Sequence, residues 1–133
     1  MNFSAVRVGD CLPPLEIPVT TKGIVASAIA TRDFHPVHHD VQAANDLGSP
    51  TIFMNILASN GYVERFVTDW TGPEVLLKSV RIKLGAPNYA GDVMVMTGRV
   101  TICEPESHCV EVTVKGVNSL GEHLTGKVVL VLP

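Results

Sequence analysis

The residues best suited to chemistry lie in one short segment, 30–40, which combines two carboxylates with three imidazoles. Asp33 and His38 are five residues apart, and Pro36 stands between them. Proline fixes its own φ and disfavours helical backbone at the residue before it, so we expect this loop to be stiff. A stiff loop can aim a carboxylate and an imidazole at one water molecule or substrate atom, which is what proton transfer requires.

The histidines of this segment could instead bind a metal ion, because histidine is the commonest metal ligand. His35, His38 and His39 fall within five residues. A metal site needs three or four ligands that converge, whereas His35 and His38 lie on either side of a proline. The spacing therefore favours an acid–base pair, and no metal is predicted. His39 is expected to be solvated and Asp40 to cap the following helix.

Composition places the segment in one globular domain that spans residues 1–133. The length suits a single domain, and 46% of the residues are hydrophobic, which is enough for a core. The net charge of −3 lacks the basic excess of nucleic-acid-binding proteins, so no nucleic-acid partner is expected. No apolar run approaches the ~20 residues of a membrane span, and no signal-peptide pattern is present. A cytoplasmic location without membrane attachment is therefore expected.

The cysteines give no sign of a structural role. Cys11, Cys103 and Cys109 are an odd number in a chain without an export signal, and none has the CxxC spacing of a zinc site. We expect three free thiols.

One short helix is predicted on each side of the candidate loop, the loop that contains Asp33 and His38. Helical spacing of apolar residues predicts the first over 21–30, capped by the threonine at 20 or at 21. Asp40 could cap the second, which runs to Leu47 and ends at Gly48. Residues 11–20, which precede both helices, contain three prolines and are expected to be extended.

The longest periodic stretch predicts a helix over residues 51–68. Its apolar positions recur every three or four residues, and its first charge is Glu64. A helix with so few charges is expected to be covered on most sides. Ala58, Ser59 and Gly61 are small, and they could leave room for a ring system or allow close packing on a sheet.

The second half of the chain predicts strands, because the hydrophobic period changes to two after residue 73. Short turns separate four alternating stretches, which predicts an antiparallel meander. The stretches lie at 79–84, 93–102, 110–115 and 123–132. Strands that follow a helix-rich first half indicate an α+β domain, in which a curved sheet could cover the nearly uncharged helix.

The candidate loop resembles the Asp-x-Asn-Pro-x-His signature of the MaoC-like enoyl-CoA hydratases, with Asp33, Pro36 and His38 at matching positions. The resemblance extends over residues 24–132. Within the family, the sequence is most similar to the small subunit of heteromeric actinobacterial hydratases that act on steroid side-chain CoA thioesters. The stretches that carry it are Ala-Thr-Arg-Asp-Phe, Val-His-His-Asp, Phe-Met-Asn-Ile-Leu, Val-Thr-Asp-Trp-Thr-Gly-Pro and Leu-Gly-Ala-Pro-Asn-Tyr. The resemblance implies a hot-dog fold, an antiparallel sheet wrapped around a central helix.

The resemblance also implies a reaction. Asp33 and His38 would hold one water molecule and add it to a 2-enoyl-CoA, giving a 3-hydroxyacyl-CoA without cofactor or metal. A backbone N–H at the start of the long helix would stabilise the thioester oxygen as negative charge develops, and the candidates are Met54 and Asn55. Which member of the Asp33–His38 pair is the base stays open.

The sequence departs from the family at two positions. The asparagine of the signature is His35 here, and the His-Gly pair at the start of the long helix is Phe53-Met54. Any residue except proline has a backbone N–H, so Met54 could still donate one. Its side chain would nevertheless narrow the approach of the thioester.

The acyl tunnel of the family lies between two such domains, so the resemblance implies an acyl-CoA substrate and a partner. The partner is either a second copy of the chain or a larger MaoC-like subunit. Two other functions stay open, a non-catalytic partner subunit and an acyl-CoA thioesterase. A hot-dog thioesterase usually carries its acidic residue on the central helix, but residues 51–63 contain none. A non-catalytic subunit would have no chemical need for Asp33 and His38.

Overall fold

A five-stranded antiparallel sheet packs around one long helix in the computed structural model, which describes all 133 residues. The strands lie in the order β1-β3-β4-β5-β2. They are β1 (Cys11–Pro18), β2 (Leu76–Leu84), β3 (Val93–Glu104), β4 (Cys109–Asn118) and β5 (Gly121–Val131). The helices are α1 (Thr21–Ala30), α2 (Val41–Asp46) and α3 (Ile56–Thr71), with two short 3-10 helices at Phe3–Ala5 and Pro36–His38. This is the predicted α+β hot-dog architecture.

The two short helices begin where the sequence predicts. The Thr20 hydroxyl caps α1 by accepting a hydrogen bond from the Gly23 N–H. The Asp40 carboxylate caps α2 by accepting from the N–H groups of Gln42 and Ala43. Each cap satisfies N–H groups that have no partner within the helix, so these local signals set the boundaries of the candidate loop.

The long helix begins later than predicted, at Ile56 instead of residue 51. Phe53 forms an isolated bridge with Tyr89, and the Met54 N–H donates to the Asn88 carbonyl at 3.0 Å, so residues 53 and 54 are extended against the 85–92 loop. The Asn55 side chain then caps α3 by accepting from the Ala58 N–H. Pairing with a segment far along the chain overrides the helical spacing here.

The four predicted strands are present, and a fifth was missed. Residues 11–18 are extended as expected, but they also pair with β3 as an edge strand. The register shifts between Leu12 and Leu15, where Pro13 and Pro14 lie. Prolines cannot donate to a sheet ladder and are tolerated at edges and bulges, which is why a proline-rich segment can be a strand here.

The core lies between α3 and the inner face of the sheet. It contains 22 buried apolar side chains, including Phe66 of α3 and both Met94 and Met96 of β3. Gly98 permits the close approach of helix and sheet, because a Cβ at this position would lie 2.8 Å from the Phe66 ring. The sheet therefore fixes the position of α3, and with it the site at the start of that helix.

The sequence predicted that the long helix is covered on most sides, but within a single chain α3 is not. Ile56 and Leu57 in its first turn are 53% and 49% exposed. A Cβ built at Gly61 would have no neighbouring atom within 4 Å. One side of the first half of α3 therefore remains open.

A buried polar pair joins α3 to β5. Ser59 and His123 are both almost completely buried, and Ser59 Oγ lies 2.8 Å from His123 Nε2. His123 Nδ1 lies 2.7 Å from the Ala86 carbonyl, which can only accept, so Nδ1 carries the proton and the Ser59 hydroxyl donates to Nε2. Burial lowers the pKa of His123, although the bond to Ala86 partly opposes the shift. The ring is therefore neutral in the folded chain.

This pair makes the fold sensitive to acid. In the unfolded chain His123 takes up a proton near its ordinary pKa of 6.5, whereas the folded chain resists protonation. The stabilising contribution of neutral His123 is therefore complete above about pH 6.5 and is lost as pH falls through the lower pKa of the folded state. Urea unfolding between pH 7.5 and 5 should show a steeper loss of stability for the wild type than for His123→Gln, by up to about 1.4 kcal/mol per pH unit. Parallel pH profiles would contradict this role for His123.

Two further findings concern the chain as a whole. Cys11 is exposed, Cys103 and Cys109 are half-buried, and all three are free thiols. None of the helices has both the length and the apolar character required to cross a bilayer.

Candidate active site

The structure brings Asp33 and His38 together. Asp33 Oδ2 lies 3.3 Å from His38 Nε2. Asp33 follows the end of α1, and His38 is the last residue of the short 3-10 helix that Pro36 begins. The His38 side chain is 8% exposed and that of Asp33 is 28% exposed, so the imidazole is buried and the carboxylate is nearer to solvent.

The loop that carries Asp33 is fixed at several points. Arg32, two residues after the end of α1, has left-handed backbone with φ of 55°. The Asp33 N–H donates to the Ala28 carbonyl at 2.9 Å, and the His39 ring donates from Nε2 to the Asp33 carbonyl, also at 2.9 Å. The His35 N–H donates to Asp33 Oδ1 at 3.3 Å. These bonds hold both the main chain and the carboxylate of Asp33.

The main chain of Phe53 determines which ring nitrogen of His38 carries the proton. His38 Nδ1 lies 2.7 Å from the Phe53 carbonyl, and since a carbonyl can only accept, Nδ1 carries a proton. The neutral ring then has its lone pair on Nε2, the atom that faces Asp33. The Phe53 ring packs edge-on against His38 with 5.1 Å between the ring centroids, which further restricts the imidazole.

The Asn55 side chain is the third polar group at this point. Its Nδ2 donates to Asp33 Oδ2 and to Thr31 Oγ1, both at 3.0 Å, and its Oδ1 accepts from the Ala58 N–H at 2.9 Å. Asn55 is only 2% exposed. A single side chain therefore caps α3 and contacts the carboxylate of the pair.

These contacts lower the pKa of Asp33. The largest cause is the hydrogen bond from Asn55, and partial burial opposes it. The hydrogen bond from the His35 N–H lowers the pKa further, and so does a positive charge on the His38 or His35 ring whenever that ring is protonated. Asp33 is therefore a carboxylate near neutral pH and can only accept hydrogen bonds.

The structure contradicts one of the two predicted amide donors at the start of α3, the Met54 N–H. The Met54 N–H donates to the Asn88 carbonyl, so it is not free to bind a thioester oxygen. The Asn55 N–H, one residue further along, has no acceptor in the chain. A free N–H at a helix N-terminus favours negative charge, since the helix dipole adds to its own polarity.

The other histidines of the segment have local roles. His35 is exposed, and its Nδ1 accepts from the Val37 N–H at 3.4 Å. His39 is half-buried and donates to Asp33, so the prediction of a solvated ring was wrong. No group of three or more His, Cys, Asp or Glu side chains in the chain is arranged to hold a metal ion. Asp40 caps α2 as predicted.

Exposed apolar side chains stand next to the site residues in the sequence. Phe34, between Asp33 and His35, is 67% exposed, and Ile56 and Leu57 follow Asn55 directly in α3. Contiguous exposed apolar surface rimmed by polar residues is typical of sites that bind a ligand or another protein. The surface around the pair is thus suited to an apolar ligand or partner.

A cavity of about 800 Å³ lies elsewhere, on the outer face of the sheet. All five strands contribute to it, and its walls carry five cationic side chains but neither Asp33 nor His38. The core and α3 lie on the other face of the sheet, so this cavity is not continuous with the pair.

Sequence reasoning named Asn55 only for its backbone N–H and missed its side chain. Placing the helix start at residue 51 put Asn55 inside the helix, where an amide side chain has no evident task. Asparagine is among the strongest N-cap residues, and here it stands directly before the apolar Ile56 and Leu57. That preference is the signal that could have found it.

Of the comparisons with known proteins, one finds no match and two identify relatives of the chain. No model of a protein family matches the chain. The 3-oxo-4,17-pregnadiene-20-carboxyl-CoA hydratase beta subunit of Mycobacterium tuberculosis is 46% identical over 123 residues, which are 92% of this chain and 94% of that protein.

Solved structures show the same fold. A chain of the ChsH1-ChsH2 complex from Mycobacterium tuberculosis is 44% identical, with a TM-score of 0.93 over 96% of this chain and 99% of that one. The unliganded R-hydratase PhaJ1 from Pseudomonas aeruginosa has a TM-score of 0.91 over 99% of this chain and 85% of that one. Its 16% identity supports a common fold only.

Proposed function

The chain belongs to the MaoC-like hydratase family. We propose that it is the small subunit of a heteromeric enoyl-CoA hydratase that acts on steroid side-chain CoA thioesters, and that it carries the catalytic pair Asp33 and His38. The observation that carries the proposal is the contact of Asp33 Oδ2 with His38 Nε2 beside the free N–H of Asn55. Two proton acceptors and one oxyanion donor are the groups that the addition of water to an enoyl thioester needs.

In the proposed mechanism the pair binds the attacking water. The Asp33 carboxylate and neutral His38 Nε2 are both acceptors, and at 3.3 Å apart they can each accept one proton of the same molecule. Asp33 is a poor base because its pKa is lowered. His38 Nε2 therefore takes the proton as the water oxygen bonds to the β-carbon, and the Asp33 carboxylate stabilises the imidazolium that forms.

The remaining steps complete the addition. As the oxygen attacks, the electron pair of the double bond moves towards the thioester carbonyl, whose oxygen becomes enolate-like. The Asn55 N–H donates to that oxygen, and the N-terminus of α3 favours its charge. The proton is then returned from His38 to the α-carbon, which restores the neutral ring and leaves a 3-hydroxyacyl-CoA.

The proposal includes a partner subunit. The related chain of known structure was crystallised as a ChsH1-ChsH2 complex, and the exposed Phe34, Ile56 and Leu57 leave the acyl side of the pair open in one chain. A second hot-dog domain over this surface would close the pocket and exclude water from the enolate. We propose a larger MaoC-like subunit in this position.

The proposed substrate predicts a preference for bulky acyl groups. In the assembled enzyme, kcat/KM for a steroidal enoyl-CoA should exceed that for crotonyl-CoA, because the short chain cannot fill the pocket and loses its binding energy. Open space beside Gly61 of α3 is consistent with a wide pocket. Turnover of crotonyl-CoA at least as efficient as that of the steroidal thioester would remove the steroid assignment.

The reaction itself is tested by product analysis. The chain, purified in complex with the proposed larger subunit, should consume the enoyl-thioester absorbance and yield a product heavier by one water. A free acid and free CoA would instead identify a thioesterase, and the enoyl-CoA persisting unchanged would contradict the proposal.

A further inference from the structure

We propose that the Asn55 side chain is a positioning residue that sets the orientation of the Asp33 carboxylate and locks it to the start of α3. The inference rests on the proposed function, since it assigns how the water-binding pair of that reaction is held. It concerns the side chain and is independent of the oxyanion role proposed for the Asn55 N–H.

The orientation of the amide is forced by its surroundings. The Ala58 N–H can only donate, so the atom 2.9 Å from it must be the amide oxygen. The amide nitrogen then faces Asp33 Oδ2 and Thr31 Oγ1 at 3.0 Å each. Because Asn55 is 2% exposed, solvent does not compete for these bonds. All the main hydrogen-bonding directions of this side chain are thus satisfied by one arrangement.

The contact falls on the oxygen that matters for the reaction. Asp33 Oδ2 is the atom 3.3 Å from His38 Nε2, and it is the same oxygen that accepts from Asn55 Nδ2. The other oxygen, Oδ1, accepts from the His35 N–H. With both oxygens held, the carboxylate cannot rotate about its χ2 angle. The remaining lone pair of Oδ2 can then point at the water that His38 also binds.

The same side chain joins two parts of the site that are distant in the sequence. Asp33 belongs to the loop after α1, whereas the oxyanion donor lies at the start of α3, 22 residues further along. The Asn55 cap fixes the first turn of α3, and its amide fixes Asp33 relative to that turn. Misplacement of a reacting group by about 1 Å can cost up to ~10²-fold in rate. Loss of the contact between Asn55 and Asp33 should therefore lower the rate measurably.

Substitutions at residue 55 can separate capping from positioning. Asn55→Ser keeps an oxygen that can accept from the Ala58 N–H but removes the amide donor to Asp33. Asn55→Asp also keeps a capping oxygen and places a second carboxylate against Asp33. In the assembled enzyme we expect Asn55→Ser to lower kcat by about 10–100-fold with little change in KM or Tm. Asn55→Asp should lower kcat further.

The second readout is the titration of Asp33. Loss of the donor removes a stabiliser of the charged form, so the pKa of Asp33 should rise in Asn55→Ser and rise more in Asn55→Asp, where a like charge is added. Carbon-13 NMR of the aspartate carboxyls in the full chain can follow this, with the Asp33 signal assigned from Asp33→Asn. Thr20→Ala, which removes the cap of α1, is the control, and it should change Tm without moving the pKa of Asp33.

The outcomes decide between the claims. A raised pKa with reduced kcat in Asn55→Ser supports the positioning role. An unchanged pKa and unchanged kcat in the same variant would overturn it, as would a loss of activity explained wholly by a lower Tm. A wild-type complex that hydrates no enoyl-CoA would refute the proposed function instead, while the NMR titration would still show whether Asn55 holds Asp33.

Discussion

Asp33→Asn, assayed in the assembled enzyme, is expected to lower kcat by at least ~10²-fold while the chain remains folded. Asparagine has the same shape, but its amide presents one acceptor and one donor where the carboxylate presented two acceptors. It would also lose the charge that stabilises the His38 imidazolium at 3.3 Å. Steady-state kinetics with a steroidal enoyl-CoA, together with a melting curve, measure both parts of this expectation.

His38→Gln tests the other member of the pair, and the same loss of at least ~10²-fold is expected because no base remains to take the water proton. His39→Gln is the matched control. The His39 ring donates only to the main-chain carbonyl of Asp33, so its loss should cost less than ~10-fold. If His35, His38 and His39 proved equally important and EDTA abolished activity, a metal site would replace the proposed pair.

Separation from the partner is expected to have the second large effect. The isolated chain should fold but turn over enoyl-CoA at least ~10²-fold more slowly than the complex, because its acyl side is open to water and a closed site contributes to both positioning and electrostatics. Light scattering and activity measured on the same samples, with and without the larger subunit, test this directly. A stable monomer with full activity would contradict the assembly.

A pair of surface variants locates the contact. Ile56→Lys with Leu57→Lys places charges on the apolar first turn of α3 and should prevent assembly without unfolding the chain. Val8→Lys is the control, since Val8 is a similarly exposed apolar residue, at 62%, in a turn that carries none of the site residues. Assembly unaffected by the Ile56 and Leu57 changes would place the partner on another surface.

Local signals explain which parts of the fold the sequence predicts. Thr20 and Asp40 cap their helices because each needs only N–H groups two or three residues away. The four later strands follow from alternation along each segment. The start of α3 could not be predicted in this way, since it depends on the bond from Met54 to Asn88, a residue 34 positions further along. The strand β1 was missed for a similar reason, because its prolines are compatible with pairing only at an edge of the sheet.

The same distinction between local and long-range signals holds for the residues of the site. Asp33 and His38 were identified because they share one short loop and match the family signature. The contact of Asn55 with Asp33 and that of Ser59 with His123 span 22 and 64 residues, and nothing in the local sequence indicates either partner. Such contacts become visible only once the sheet has fixed where α3 lies relative to the loop.

The central claim is that this chain, and not only its partner, activates the water. The most direct test is the complex formed from the unaltered larger subunit and the double variant Asp33→Asn/His38→Gln, with the hydrated product measured by mass in a single turnover. We expect that the complex forms normally and that its rate falls at least ~10²-fold, with little loss beyond that of the more damaging single variant, because residues that act as a unit are not additive. Hydration at the wild-type rate by this complex would refute the role of Asp33 and His38 and assign the chemistry to the partner.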